Sequence, residues 1–394
     1  MKKCYSMGAL VLDITLSLRS EEILPITDIF VQGKVTELNQ ISFYMGGSVG
    51  NTGLALHKLG VNTVLSGKVG RDTQGEAIKS LISGAGAPYH LIEMDGVPTT
   101  TSIAVTPKGL DKITLFMKGA SQTYSGADAD GIKDADLFHF GYPVTMKGMY
   151  ADEGAGLLQL MSTVKATGAS TSMDTALPRP DGEHGKINWR PILKKVLPYV
   201  DAFVPSYEEC LFMLDREDYI EKWQQAAGGD MIDLLTEDSV RRVAEEFLGM
   251  GTKIVFIKLG SRGAYLRTAD RAAFADAGRA FSDLPENWYG RELWIFPNKV
   301  PKIVSTTGAG DTCIAGFLAA ALRGESPEKA LQIGSTAASL CIQSADTTSL
   351  LTSYEAVEAA AAGAERTAGG FALSNSWRLD EADGLYIGKN DGRF

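Results

Sequence analysis

Cysteine and histidine are both scarce, at four residues each in 394. Cys4, Cys210, Cys313 and Cys341 lie far apart in apolar segments, and no pair has metal-ligand spacing. They read as buried free thiols of a reducing, cytoplasmic setting. His57, His90, His139 and His184 form no cluster, which excludes a His-rich metal site. Long apolar runs are lacking: none approaches the roughly 18 to 20 residues of a membrane span. The opening MKKCYSMGALVLDITLSL is broken by Asp13, and no small-residue cleavage site follows, so it reads as a buried strand. Dense basic segments are lacking too. With 38 Lys and Arg against 48 Asp and Glu the formal net charge is −10, so nucleic acid and membrane are not expected partners. There is no Gly-x-x-x-x-Gly-Lys-Ser/Thr, no protein-kinase motif set and no Gly-x-Gly-x-x-Gly. P-loop, protein-kinase and dinucleotide chemistry are excluded with them.

What is present is an ordinary globular composition, 44% hydrophobic and 22% charged. Strand-like and helical runs alternate along it. Strands are expected at Tyr5–Leu12, Val61–Leu65, Leu137–Phe140, Ala169–Met173, Ala202–Val204 and Lys253–Lys258. Helices are expected at Gly50–Leu59, Thr73–Ile82, Ala155–Ala166, Ser239–Leu248, from Gly308, and at Pro327–Ile342. This alternation predicts an α/β fold, a mainly parallel sheet with helices on both faces. Ile14–Met45 and Thr99–Lys118 break the rhythm with alternating, β-prone residues and no helix within either. The second reads as a hairpin, Thr101–Thr106 and Lys112–Met117 about a Pro-Lys-Gly turn. Such pieces fit a small β-sheet that covers a ligand and whose exposed face pairs with a second subunit. Ala272–Pro297, with Trp288, Tyr289, Trp294 and Phe296, is expected over a ligand edge or interface, or as a surface loop. Thr367–Phe394 shows no periodicity and carries no assigned role.

The chemistry concentrates in Val304–Leu322, VSTTGAGDTCIAGFLAAAL. Thr306, Thr307, Gly308 and Gly310 precede an apolar helical run, where the first backbone amides lie free. Those amides and the positive dipole end make an anion site, and the glycines admit close approach. Asp311 sets a carboxylate beside it. An anion hole with an adjacent base is what a phosphoryl-accepting hydroxyl needs. Taken alone, the stretch reads as a capped helix start. Gly46-Gly47-Ser48-Val49-Gly50-Asn51 opens a second helix, and Asn51 offers a donor and an acceptor suited to a polyol. Asp13, expected at a strand's carboxyl end, would face the ligand crevice of an open α/β sheet. Lys258-Leu259-Gly260-Ser261-Arg262-Gly263 follows a strand and could pass beneath nucleotide phosphates, with Lys258 or Arg262 neutralising charge. Glu209, in Ser206-Tyr207-Glu208-Glu209, could hold Mg²⁺ through water.

Taken in order, these elements resemble the ribokinase-like (PfkB) carbohydrate kinase family over nearly all of residues 5–365. GGSVGNTGLALHKLG (Gly46–Gly60), GKVGRDTQG (Gly67–Gly75), Gly119-Ala120-Ser121, KLGSRG (Lys258–Gly263) and STTGAGD (Ser305–Asp311) carry the likeness. It implies a ribokinase-like three-layer α/β/α fold and transfer of the γ-phosphoryl of ATP to a sugar-like hydroxyl. By it Asp311 is the base, and the amides of Gly308, Ala309 and Gly310 form the anion hole. Asp13, Gly46, Gly47 and Asn51 hold substrate; Lys258, Gly260, Gly263 and Thr306 face ATP; Glu209 serves Mg²⁺. The implied kinase domain is 1–13, 46–98 and 119–366. The β-lid is 14–45 and 99–118, through which a homodimer forms, and 367–394 is an extension. Three departures stand out. Ser206 replaces the Asn of Asn-x-x-Glu. Ser305 replaces the Asp that helps hold a monovalent cation. Asp174 through Arg179 lacks the Asp-x-Asn-x-Arg spacing of fructokinase and ketodeoxygluconate kinase relatives. A nucleoside kinase, and a non-catalytic sensing protein on the same fold, remain the alternatives.

Overall fold

The computed structural model describes residues 2–19, 25–107 and 113–393, and these form two sheets. The strands are β1 (Lys3–Gly8), β2 (Val11–Leu18), β3 (Leu38–Gly46), β4 (Asn62–Gly70), β5 (Tyr89–Met94), β6 (Thr101–Thr106) and β7 (Ile113–Met117). They continue with β8 (Leu137–Gly141), β9 (Ser170–Met173), β10 (Ala202–Phe203), β11 (Ile254–Lys258), β12 (Ala264–Thr268), β13 (Glu292–Ile295), β14 (Trp377–Asp380) and β15 (Leu385–Gly388). The larger sheet has the order β14-β15-β13-β12-β11-β10-β9-β8-β1-β4-β5. From β11 to β5 its pairs are parallel. The strands β12, β13, β15 and β14 add antiparallel.

Side-chain alternation along the strands builds the layers. On β11, Ile254 and Phe256 enter one core, and Val255 and Ile257 the other. The first core takes in helices Leu54–Lys58, Ala309–Leu322, Pro327–Cys341 and Tyr354–Ala362. The second takes in Lys147–Ala166, Trp189–Val196, Tyr207–Leu214 and Glu237–Gly249. Both faces of the parallel strands are therefore buried, which is why a strand such as β11 reads as an apolar run, Ile254 through Ile257. Helix Lys147–Ala166 is interrupted at Ala151–Gly154, so the expected start at Ala155 marks the segment after that break. Among the described residues no helix is long and apolar enough to cross a membrane.

The run Tyr5–Leu12, expected as one strand, is two. The chain leaves the large sheet at Gly8, whose φ of +143° no ordinary side chain adopts and where a Cβ would strike the Gly141 carbonyl. It enters the smaller sheet at Val11. The run looked continuous because Met7, Leu10 and Leu12 are buried on both sides of the break. Asp13 is consequently the third residue of β2 and not the end of a strand.

The smaller sheet has the order β3-β2-β6-β7. Strands β6 and β7 pair antiparallel, as the hairpin reading required; residues 108–112, which include most of the expected Pro-Lys-Gly turn and the expected strand start at Lys112, lie outside the described residues. Register sorts the side chains sharply. Ile14, Phe43, Ile103 and Leu115 form one cross-strand row, and Asp13, Tyr44, Ser102 and Phe116 the next. Successive rows point to opposite faces. One face is thus apolar, with Ile41, Phe43 and Leu115 exposed, and the other is largely polar and carries Asp13.

Two segments that looked like decorations belong to the body. Trp288 and Trp294 are wholly buried, one in each core, and Glu292–Ile295 is strand β13. The C-terminal strands extend the sheet by pairing Leu293 with Ile387 and Trp294 with Tyr386. Buried charge locks them in place. Asp391 Oδ2 accepts from Arg291 Nε at 2.9 Å and from the Glu292 amide at 2.8 Å. Glu292 Oε1 in turn accepts from Arg241 Nε at 2.6 Å and from the Tyr265 hydroxyl at 3.1 Å. Asp391→Ala strips one partner from a buried guanidinium and should cost about 3 kcal/mol. Urea denaturation checks this against Asp238→Ala, an exposed carboxylate whose loss should leave the midpoint nearly unchanged.

Candidate active site

The glycine pair at the end of β3 meets the residues around Asp13. Gly47 holds φ at +74°, and a Cβ there would strike the Ala9 carbonyl; a Cβ on Gly46 would strike the Asp13 carboxylate. The chain then enters a π-turn, Val49–Gly53, before the α-helix Leu54–Lys58. The expectation was a plain helix from Gly50. The wider turn, a form that recurs at functional sites, directs two successive side chains at one carboxylate. Asn51 Nδ2 donates to Asp311 Oδ2 and Thr52 Oγ1 to Asp311 Oδ1, each at 3.0 Å.

Asp311 lies in the first turn of Ala309–Leu322. Gly308 caps that helix at φ +80°, with Thr347 packed where a Cβ would be. The carboxylate is 4% exposed. Besides Asn51 and Thr52 it accepts the Tyr142 hydroxyl on both oxygens, at 2.8 and 2.7 Å. Burial pushes its carboxyl above the ordinary carboxylate range. Hydrogen bonds from Tyr142, Thr52 and Asn51, and the Lys258 charge, pull against that rise without cancelling it.

Lys258 closes β11 and turns into the same space. Its ammonium lies 2.6 Å from Asp174 Oδ1, and a Cβ placed on Gly310 would be 3.7 Å from its Nζ. Burial alone would draw its proton off. Asp174, Glu209 and Asp311 more than offset this, and the ammonium is held protonated. Burial also pushes Asp174 upward, against Lys258 and with Glu209 and Asp311. Glu209 and Ser206 form a capping box: the Ser206 amide donates to Glu209 Oε2 at 2.8 Å, and Ser206 Oγ accepts the Glu209 amide at 3.4 Å. That gives Ser206 a structural reason. Among the described residues no three His, Cys, Asp or Glu side chains are grouped to hold a metal ion. The hard oxygen of Glu209 fits Mg²⁺ bound through water and phosphate oxygens, which needs no protein cage.

The structure brings together Asp311, Gly308–Gly310, Asn51 and Lys258, with Asp13, Gly46 and Gly47 joined to them through the π-turn. Glu209 reaches the group through Ser206, which bridges to Lys258 in the sheet. Gly260 and Gly263 stand just beyond Lys258 in a tight turn; at Gly263 a Cβ would strike the Ile295 carbonyl. Arg262 is engaged within the chain. It bonds Asp233 at 2.6 Å and the Gly369 carbonyl at 2.8 Å, and it lies over Phe371. Thr306 is exposed and gives its carbonyl to the Ala309 amide at 3.3 Å. Ser305 Oγ accepts the Thr307 amide at 3.2 Å. Sequence reasoning missed Thr52 and Tyr142, and weighed Asp174 only for its spacing to Arg179. Tyr142 and Asp174 each follow the last residue of a parallel strand, the ligand side of such sheets, and that signal was available.

The model of the pfkB family carbohydrate kinases matches residues 1–353. An uncharacterized sugar kinase of Archaeoglobus fulgidus is 27% identical over 293 residues, which span 74% of this chain and 95% of that protein. Ribokinase of Arabidopsis thaliana, solved with ribose and ATP, superposes with a TM-score of 0.62 at 20% identity, covering 91% of this chain and 98% of that one. A putative ribokinase II from E. coli, solved with ATP and Mg²⁺, gives 0.65 at 19% identity, covering the same shares. The fold is ribokinase-like α/β, and with nine-tenths of its length matched the chain belongs to the pfkB family of carbohydrate kinases.

Proposed function

We propose that the protein transfers the γ-phosphoryl group of ATP to a hydroxyl of a small sugar-like substrate, with Asp311 as general base. The observation that carries this is one carboxylate, buried and of raised proton affinity, in the first helical turn behind the glycine amides 308–310. The acceptor oxygen bonds to Pγ as its proton passes to Asp311, and the bond from Pγ to the bridging oxygen of ADP breaks. Amides of Gly308 and Gly310 meet the charge that spreads over the phosphoryl oxygens, joined by that of Ala309 as it turns from the Thr306 carbonyl, and the Lys258 ammonium adds to them. The turn at Gly260–Gly263 and Thr306 border ATP. Glu209 would hold Mg²⁺ through water; when bound, that ion neutralises phosphate charge. Asp13, Gly46, Gly47 and Asn51 orient the sugar, so that attack is prepaid in entropy.

Segments 14–45 and 99–118 act as a lid with the Asp13 face toward the sugar, over a body of 1–13, 46–98 and 119–366. Segment 367–394 completes the sheet edge of that body. A sugar fits this face better than a nucleoside does. Tyr44 and Phe116 share the Asp13 row but stand three strand spacings apart, roughly 14 Å. Gripping a base between two rings needs about 7 Å, twice a van der Waals contact. Phe43 lies on the other face, and Tyr124 is buried in the core. The test is ADP release from MgATP with D-ribose, D-fructose and adenosine. Release that depends on a sugar supports the reading, and a response to adenosine alone overturns its sugar part.

The apolar lid face supports a homodimer, and the four buried free thiols suit the cytoplasm. Phe43→Lys with Leu115→Glu should convert a dimer into a monomer by light scattering. Equal masses for the variant and the wild type would remove the lid interface.

A further inference from the structure

A carboxylate offers about four acceptor positions, and three donors surround Asp311: Asn51 on one oxygen, Thr52 on the other, and the Tyr142 hydroxyl, whose single proton is shared between both. An acceptor hydroxyl must take one of these positions to hand over its proton. Asn51 and Thr52 are poorly placed to yield. They sit in a buried π-turn, with the Met45 backbone pressed against Gly50 and Ser6 against Gly53. Tyr142 differs. It stands alone between β8 and Pro143, with left-handed backbone (φ 66°, ψ 43°). That conformation costs a tyrosine of order 1 kcal/mol and marks a site held for a purpose. The Thr145 amide and hydroxyl hold its carbonyl, at 3.0 and 2.9 Å, so the backbone is fixed and rotation of the side chain alone releases the phenol. The phenol keeps its proton, because burial and then Asp311 and Asp174 push it far above its ordinary value. It is therefore a hydroxyl that donates to the base and takes nothing from it, in the place where a substrate hydroxyl has to donate.

We propose that the Tyr142 hydroxyl holds the acceptor's place on Asp311, so that a bound sugar displaces it and water does not. The proposal rests on Asp311 being the base. A sugar is anchored at several hydroxyls and can spend that binding on displacing one phenol. Water has no such anchor. With the place taken, the wasteful reaction is suppressed: a water oxygen bonding to Pγ, the bond from Pγ to the bridging oxygen of ADP breaking, and the water proton passing to Asp311, to give ADP and inorganic phosphate.

The experiment measures ADP release from MgATP by the full chain with no sugar present, for the wild type, Tyr142→Phe, Asp311→Asn and the double variant. Tyr142→Phe removes one oxygen and keeps the ring, and thermal unfolding verifies the fold. Sugar-free ADP release should rise about tenfold in Tyr142→Phe, the scale of one hydrogen bond to a charged group, and vanish in the double variant. With whichever of D-ribose and D-fructose supports turnover, KM should fall while kcat changes less than KM. A merely structural role would not produce that split. Sugar-free release equal to the wild type's, or a lowered kcat with no added release, overturns the proposal. The two readings fail separately. Wild-type turnover by Asp311→Asn removes the base and the proposed function with it. An inactive Asp311→Asn beside a silent Tyr142→Phe removes only the role of Tyr142.

Discussion

Asp311→Asn should lower kcat about a thousandfold, the middle of the range for a lost general base, while the KM for sugar stays close to the wild-type value. Asparagine keeps the size and planarity of the side chain. Its oxygen can still accept from Thr52 and Tyr142, and its new NH2 group can donate to Asn51 once that amide turns its oxygen inward, so the glycine turn persists. What disappears is the basic oxygen pair that receives the acceptor's proton. Unfolding will not account for the loss. The folded carboxyl binds its proton more tightly than the unfolded one. Its contribution to stability is therefore greatest at low pH and declines as pH rises through the folded value. At neutral pH the buried charge opposes folding, and a neutral amide relieves that, so the melting temperature of the variant should not drop. In the wild type the acidic limb of kcat/KM should stand above the usual carboxylate range, because the base works only once deprotonated. A thousandfold loss with an intact melt separates chemistry from folding.

Lys258→Met should be the second large effect, and it should strike both stability and rate. The ammonium is the counter-charge among three carboxylates, 2.6 Å from Asp174 and facing Glu209 and Asp311. Taking one partner from a buried pair costs about 3 to 5 kcal/mol. The deficit should shrink as pH falls, since carboxyls left without Lys258 hold protons more tightly in the folded state and stability is regained below their folded values. The rate should fall about a hundredfold, the scale of one charge-stabilising donor lost beside the transferring group. Adding Asp174→Asn separates the two roles. The double variant should recover most of the stability and none of the rate. Recovery of both would make Lys258 a structural counter-ion of Asp174 alone.

The backbone-driven part of the site was legible in the sequence, and the side-chain-driven part much less so. Gly47 and Gly308 announce themselves because each holds a positive φ against a close neighbour, a demand only glycine meets well. The helix behind Asp311 is visible from its apolar spacing. Lys258 was singled out for a place under the phosphates at the turn. Its pairing with Asp174 was not legible, and Arg262 is taken up by Asp233 and the C-terminal segment. Tyr142 carries no motif. Its role comes from a left-handed backbone that turns the ring back onto Asp311, and sequence gives no sign of that in a tyrosine. The break between β1 and β2 was hidden because two sheets bury one apolar run. Strands β14 and β15 were hidden because they are four residues long, so the few apolar residues they bury, Trp377, Leu385 and Ile387, are too few to form a readable period.

The most direct test of the central claim is where the phosphorus goes. Phosphorus-31 NMR of MgATP with a sugar that supports ADP release should show the γ-phosphorus become a sugar phosphate monoester with the wild-type enzyme, and remain in ATP with Asp311→Asn at equal protein concentration. The same monoester formed as fast by Asp311→Asn, or inorganic phosphate as the wild type's main product, would contradict the account.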